Sequence, residues 1–282
     1  MHVKLKDIEF SSPLLTASGT YGYGHEVRDM ADVNQWGGII TKSVTRHPRE
    51  GNQPPRIAET RSGMLNSIGL ANLGVEKYCE EIIPFLNELQ TQVIINIAGS
   101  AMEDYLETME MLESTNGKHV GYEINISCPN TEDGKTLAQN QQQLHSLIDY
   151  MREHTQAVIS IKISPDRSND ALLALGKELS QHKKICCVLA NSQFKTCNEL
   201  KISEDALSIG QGGLSGPSLF ERTLEMVQVL APLGLPIIAT GGIDSADKVR
   251  QCLNAGASLV GMATALAMNP YCIVEINRDL AK

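Results

Sequence analysis

A chain of 282 residues with 42% hydrophobic content can bury a large core, and four Phe and one Trp against 23 Gly point to branched-aliphatic strands rather than a sandwich or a disordered chain. The formal charge of -9 is spread without a long single-sign block, which disfavours docking on nucleic acid or an anionic membrane and favours a small-molecule partner. The first residues are charged and broken in pattern, and no apolar run approaches the roughly 18 residues of a membrane span, so a cytoplasmic protein is expected.

Val3 to Phe10 alternates apolar and polar residues around Lys6-Asp7, which predicts a β-hairpin capping one end of the fold. Eight short apolar runs follow: Pro13 to Thr16, Gly38 to Lys42, Val93 to Ala98, Gly121 to Ser127, Val158 to Ile163, Ile185 to Ala190, Pro236 to Thr240 and Ser258 to Met262. Between most of them lie amphipathic segments of helical length, such as Met102 to Leu112 and Gln141 to Glu153. Strand-helix repetition implies parallel pairing, and eight units close into a (β/α)8 TIM barrel more readily than into an open sheet. The expectation is an α/β protein: one barrel domain over residues 1–282, with an N-terminal β-hairpin. Two connections, Ser43 to Leu73 and Ser192 to Ser215, exceed what a crossover needs and read as functional or mobile loops.

Active-site groups of such barrels sit where strands end. The runs end in Ala17-Ser18-Gly19, Lys42-Ser43, Asn96, Asn125 followed by Cys128, Lys162, Asn191-Ser192, Gly241-Gly242 and Ala263-Thr264. A lysine inside an apolar strand must either reach solvent or meet an anion, and a bound anionic cofactor would serve both Lys42 and Lys162. Gly212 to Gly216 and Thr240 to Ile243 are either plain tight turns or backbone cradles for a phosphate.

Seven cysteines (79, 128, 186, 187, 197, 252 and 272), an odd number without a C-x-x-C pair, argue against a disulfide framework, an iron–sulfur cluster or a metal site in this chain. Cys186 and Cys187 read as small buried hydrophobes. Cys128 lies where the chain leaves a strand, and its spacing alone leaves both a reactive thiol and a buried one open.

The motifs Ala17 to Gly24, Thr41-Lys42-Ser43, Pro55 to Thr60, Gly63 to Leu70, Asn125-Ile126-Ser127-Cys128-Pro129-Asn130, Gly212 to Gly216 and Gly241-Gly242-Ile243 together resemble the class 1 dihydroorotate dehydrogenases in order and spacing. The resemblance implies FMN-dependent oxidation of dihydroorotate to orotate in pyrimidine biosynthesis, with Cys128 as base and flavin N5 as hydride acceptor. It places Asn66, Asn125, Asn130, Asn191 and Ser192 on the substrate. Lys42 falls beside flavin and substrate, and Lys162 near the flavin N1 and O2 edge. Ala17, Ser18, Gly19, Ser43, Asn96, Asn125, Gly216, Gly241, Gly242, Ala263 and Thr264 complete the FMN site. Ala263-Thr264 stands where the family usually has Gly-Thr, which is compatible with phosphate binding if that backbone has negative φ.

Ala17 to Gly24, Pro55 to Asn66 and Gly212 to Gly216 look like the 1B form, which works with an FAD and iron–sulfur electron-transfer subunit. Thr41-Lys42-Ser43, Arg49 to Asn52 and Asn72 to Gly74 look like the 1A homodimer that uses fumarate. The balance leans to 1B, and a homodimer is expected. Two other readings compete: a barrel that has lost turnover and acts as a binding or regulatory subunit, and a tRNA dihydrouridine synthase. The latter's usual Asn-x-Gly-Cys-Pro differs from Asn125 to Pro129, and its basic face has no counterpart here.

Overall fold

The structure is a computed structural model and describes residues 2–61, 63–126 and 140–282. The N-terminal hairpin pairs β1 (Val3–Leu5) with β2 (Ile8–Phe10), Val3 opposite Phe10, and turns at Lys6, which has φ 56. Leu5 and Phe10 are buried in one cluster with Leu15, Ile40, Ile94 and Ile238 of the barrel strands. The hairpin therefore plugs the barrel from its N-terminal end.

Eight parallel strands close the barrel: β3 (Leu14–Thr16), β4 (Gly38–Ile40), β7 (Gln92–Ile97), β8 (Gly121–Asn125), β9 (Val158–Ile163), β10 (Ile185–Leu189), β13 (Ile237–Thr240) and β14 (Leu259–Met262). Each of the eight apolar runs is a barrel strand. Closure is made by β14 against β3, with Val260 opposite Leu14. The C-terminus reinforces that seam, since Ser12 Oγ donates to Asn277 Oδ1 at 3.1 Å and Asn277 Nδ2 donates to the Gln35 carbonyl at 3.2 Å.

Side chains alternate across each strand. On β8 and β9, Tyr122, Ile124, Ile159 and Ile161 pack in the large core cluster shared with the helices, which leaves Glu123, Asn125, Ser160 and Lys162 on the inner face. The hydrogen-bond register then sets Asn96 beside Glu123, Glu123 beside Ser160, and Asn125 beside Lys162.

The outer layer consists of α1 (Val75–Lys77), continued through a π-turn at Tyr78–Ile82 into α2 (Ile83–Glu88), then α3 (Met102–Glu113), α4 (Gln141–His154), α5 (Asn169–Leu179), α6 (Phe220–Leu230), α7 (Ala246–Asn254), α8 (Thr264–Met268) and α9 (Cys272–Leu280). Three start on side-chain caps: Asn140 accepts from the Gln143 N–H, Ser168 from Ala171 and Ser245 from Lys248. The connection from β3 to β4 carries only two 3-10 turns, His25–Val27 and Val33–Gln35. No helix among the described residues is long and apolar enough to cross a membrane.

The two long connections are not plain loops. They form an antiparallel sheet in the order β11-β12-β6-β5, from β5 (Ile57–Thr60), β6 (Gly63–Asn66), β11 (Gln193–Thr196) and β12 (Gln211–Ser215). Leu65, Leu207, Leu214 and Cys197 give it a small core of its own. Gly212 serves this pairing, because a Cβ there would lie 2.2 Å from the Asn66 carbonyl oxygen. Ser215 Oγ links the sheet to the barrel, donating to the Met64 carbonyl at 3.2 Å and accepting from Thr264 Oγ1 at 2.9 Å.

Truncating Phe10, which is fully buried between hairpin and barrel, removes a large contact at the plug. Phe10→Ala is expected to lower unfolding stability by about 3–5 kcal/mol, read as a shift in denaturant midpoint at unchanged slope.

Candidate functional site

The inner face toward the strands' C-terminal ends is polar. Lys162, 5% exposed, donates from Nζ to Ser18 Oγ at 2.6 Å and to Glu123 Oε1 at 3.3 Å. Ser18 follows β3 and Lys162 stands on β9, so the amine reaches across the barrel. Glu123 is fully buried, and its Oε1 also accepts from Asn96 Nδ2. A buried ammonium and a buried carboxylate thus satisfy one another while an amide and a hydroxyl take part of their remaining capacity.

Glu123 was not singled out from the sequence, although the signal was present: a carboxylate inside an apolar strand needs a partner as much as the lysines do. Its side chain shows that Lys162 has a protein anion at hand. Three buried acceptors around this group, Glu123 Oε2, Asn96 Oδ1 and Asn125 Oδ1, have no hydrogen-bond partner among the described residues. Unpaired buried acceptors cost free energy unless a donor arrives, and a heterocycle with ring N–H groups is such a donor. These acceptors, with the Lys162 ammonium as donor, fit a flavin ring edge held over this group.

Lys42 lies just after β4 and is half-buried, with its backbone N–H donating to the Gly22 carbonyl at 2.7 Å. Burial pulls its ammonium pKa below the ordinary lysine value; the charge of Glu26 opposes that shift and Arg56 adds to it. An amine in that condition gains from an anionic ligand. Ser43 next to it is buried, Ala17 donates its N–H to the Met262 carbonyl at 2.7 Å, and Gly19 has φ 92 with open space where a Cβ would stand.

After β13 and β14 the chain approaches the start of α6. Gly241 and Gly242 both have positive φ, and a Cβ on Gly242 would come within 2.4 Å of the Phe220 nitrogen. Gly216, with φ 116, leads through a 3-10 turn into that helix, and Thr264 is joined to Ser215 as described. Ala263 has φ -128, outside the left-handed region that would call for glycine. Positive-φ glycines and a threonine hydroxyl gathered beside a helix start suit a phosphate.

Asn66 closes β6 and donates from Nδ2 to the Gly213 carbonyl at 3.1 Å. Asn191 follows β10, its N–H donating to the Ile163 carbonyl at 3.0 Å and its Oδ1 accepting from the Ser192 N–H at 2.8 Å. Cys128 and Asn130 lie outside the described residues. Cys186 and Cys187 are fully buried, and burial raises both thiol pKa values, so neither is a reactive thiolate. A cleft of about 310 Å³ opens elsewhere, bordered by Asp7, Ile8, Val120 and Val158 at the N-terminal end. That end of a barrel serves stability, and active sites of such barrels lie at the strands' C-terminal ends, where the polar group stands.

Glu123→Gln leaves Lys162 without its counter-charge and is expected to cost about 3–5 kcal/mol of unfolding stability. Removing both charges with Glu123→Gln and Lys162→Met should recover part of that loss in a denaturant double-mutant cycle.

Comparison with known proteins agrees with this arrangement. A family model described as dihydroorotate dehydrogenase matches residues 1–282. Proteins named dihydroorotate dehydrogenase B (NAD(+)), catalytic subunit, are similar along nearly the whole chain. The one from Thermodesulfovibrio yellowstonii is 36% identical over 278 residues, covering 98% of this chain and 91% of its own length. That of Bacteroides fragilis is 34% identical over 278 residues with the same coverage, and that of Desulforamulus reducens 36% over 282 residues, covering 99% and 92%. Among solved structures, dihydroorotate dehydrogenase of Eimeria tenella in complex with ferulenol superimposes with a TM-score of 0.84 at 20% identity, covering 99% of this chain and 83% of that one, a likeness of fold. With the family model spanning the whole sequence and relatives above 30% identity along it, the chain belongs to the dihydroorotate dehydrogenase family of FMN-dependent oxidoreductases.

Proposed function

We propose that this chain is the catalytic subunit of a 1B-type dihydroorotate dehydrogenase, oxidising dihydroorotate to orotate in a single domain spanning residues 1–282. The observation that carries the reading is the buried Lys162–Glu123–Asn96 group with its unpaired acceptors, at the strand ends of a chain matched throughout by the family model. FMN, when bound, supplies the hydride acceptor. Lys162, held by Glu123 and Ser18, places a positive charge at the ring edge where negative charge develops on reduction. Asn96, Asn125, Ala17, Gly19 and Ser43 border the ring. Gly216, Gly241, Gly242, Ala263 and Thr264 hold the phosphate through backbone N–H groups and the Thr264 hydroxyl.

Cys128 takes the C5 proton of dihydroorotate as a thiolate, and Lys42 neutralises the substrate carboxylate. Asn66, Asn125, Asn130, Asn191 and Ser192 present paired donors and acceptors to the pyrimidine imide and carboxylate, so a ring lacking those edges leaves them unpaired. The relatives' shared name, with its catalytic subunit and NAD(+), supports a partner subunit and NAD(+) as acceptor; in this reading the partner carries FAD and an iron–sulfur cluster and sits on a homodimer of this chain. The φ of -128 at Ala263, outside the glycine-requiring region, supports an active reading over that of a barrel without turnover.

Anaerobic dihydroorotate should bleach the flavin of the holoenzyme, and NAD should restore its colour only when the partner subunit is present. Colour restored by fumarate alone would assign the 1A type instead. Cys128→Ala should keep FMN and slow bleaching by roughly 10²–10⁴-fold. Cys128→Ser should need higher pH for comparable rates, because a hydroxyl ionises far above a thiol. Near wild-type bleaching by Cys128→Ala would refute the base.

Lys42 gives a pH dependence with a defined sign. Its ammonium is disfavoured by burial and favoured by a bound carboxylate, so orotate binding takes up a proton between the free and bound pKa values. Orotate affinity should fall as pH rises through the free-enzyme pKa of Lys42, followed by flavin absorbance. The slope should be absent in Lys42→Met.

A further inference from the structure

A second set of ligating side chains lies on the helical layer, away from the barrel interior. His145 and Asp149 are four residues apart on α4, which sets them on one face of that helix. His182 arrives from the turn after α5, its N–H donating to the Leu179 carbonyl at 3.2 Å. His145 Nε2 lies 3.3 Å from Asp149 Oδ2, His182 Nδ1 lies 3.2 Å from Asp149 Oδ1, and His182 Nε2 lies 3.0 Å from His145 Nδ1. A ligand atom from each of the three falls within 4.8 Å of the others. The His182 side chain is only 7% exposed, whereas those of His145 and Asp149 are 47% and 55% exposed, so the group is anchored below and open above.

Each imidazole uses both of its nitrogens in those separations, and the set of one ligand atom from each residue lies within 4.8 Å, a spread that must contract to form a coordination shell. Nitrogen and oxygen ligands held at roughly 2.0–2.2 Å from zinc stand about 3.0 Å apart at a right angle and about 3.4 Å apart at the tetrahedral angle. Small rotations of two exposed side chains bring one nitrogen of each ring and one oxygen to a common point. Two imidazoles and one carboxylate suit late first-row divalent ions, and three protein ligands leave positions for water.

We propose that His145, Asp149 and His182 form a divalent transition-metal site on the outer layer of the barrel, taking Zn²⁺ or a neighbouring late first-row ion with solvent completing its shell. The ion clamps α4 to the turn between α5 and β10. The site is independent of the proposed reaction.

The test is titration of chelator-treated holoenzyme with Co²⁺ and Zn²⁺. One Co²⁺ should bind per chain, with visible bands of nitrogen and oxygen ligation and no thiolate charge-transfer band, and Zn²⁺ should displace it and raise the melting temperature. His145→Gln and Asp149→Asn should each weaken binding by roughly tenfold or more, and His145→Gln with His182→Gln should abolish it. Melting temperatures of the variants in chelator should match wild type, which separates lost binding from lost folding. Flavin bleaching by dihydroorotate in chelator should be unchanged. Absence of saturable uptake, a thiolate-type cobalt spectrum, or affinity unaltered in the double variant would overturn the assignment.

Discussion

An ammonium and a carboxylate 3.3 Å apart, both nearly or fully inaccessible to water, occupy a part of the barrel interior where aliphatic layers are the usual filling. Taking both charges from water costs several kcal/mol each, and their attraction returns that cost only with good geometry and further hydrogen bonds. Ser18 and Asn96 supply those bonds, drawing in the end of β3 and the middle of β7. The pair therefore commits residues from separate strands to one arrangement. It also divides the interior, with Leu5, Phe10, Leu15 and Ile238 filling the hairpin end and polar groups filling the other. A barrel packed throughout with aliphatic side chains would gain stability and lose the charged floor on which a flavin edge can rest.

Much of this architecture was legible because strands of a parallel barrel are buried on both faces and so read as unbroken apolar runs. Val158 to Ile163 matches β9 at both ends, and the other runs differ by a residue or two where polar strand ends leave the ladder. The hairpin was equally plain, from alternation around Lys6-Asp7. The antiparallel sheet was not. Its strands are short, Gly212 and Gly213 carry no side chains to show a period, and Asn66 finds Gly213 only through pairing distant in sequence. The glycines after Gln211 left a tight turn and a phosphate cradle both open, and Gly212 instead allows close backbone approach between strands.

Within the site, residue types at strand ends identified Lys162, Asn96 and Asn125, since a buried polar group demands a partner wherever it occurs. Glu123 escaped because its neighbours Tyr122 and Ile124 make the run look uniformly apolar, and only the inward parity of its side chain reveals the ion pair. Ala263 shows the converse. Its identity departs from the usual glycine, and its φ lies outside the left-handed region that would require one. The metal-ligating group lay beyond sequence reading for a third reason: His145 and Asp149 share a helix, but His182 joins them only through the packing of two crossover helices.

The seam between β14 and β3 has a consequence for how the molecule comes into being. Leu14 and Val260 are neighbours in space and lie near opposite ends of the chain, and Asn277 ties the last helix back to Ser12 and Gln35. Until the final strand is synthesised, β3 and β13 present unpaired edges that invite association with other chains. Joining the ends of so long a chain carries a large loop-closure entropy, which places ring closure late in folding. A ribosome stalled short of β14 would hold an open, sticky sheet, and the last few dozen residues act as the fastener that turns it into a sealed cylinder.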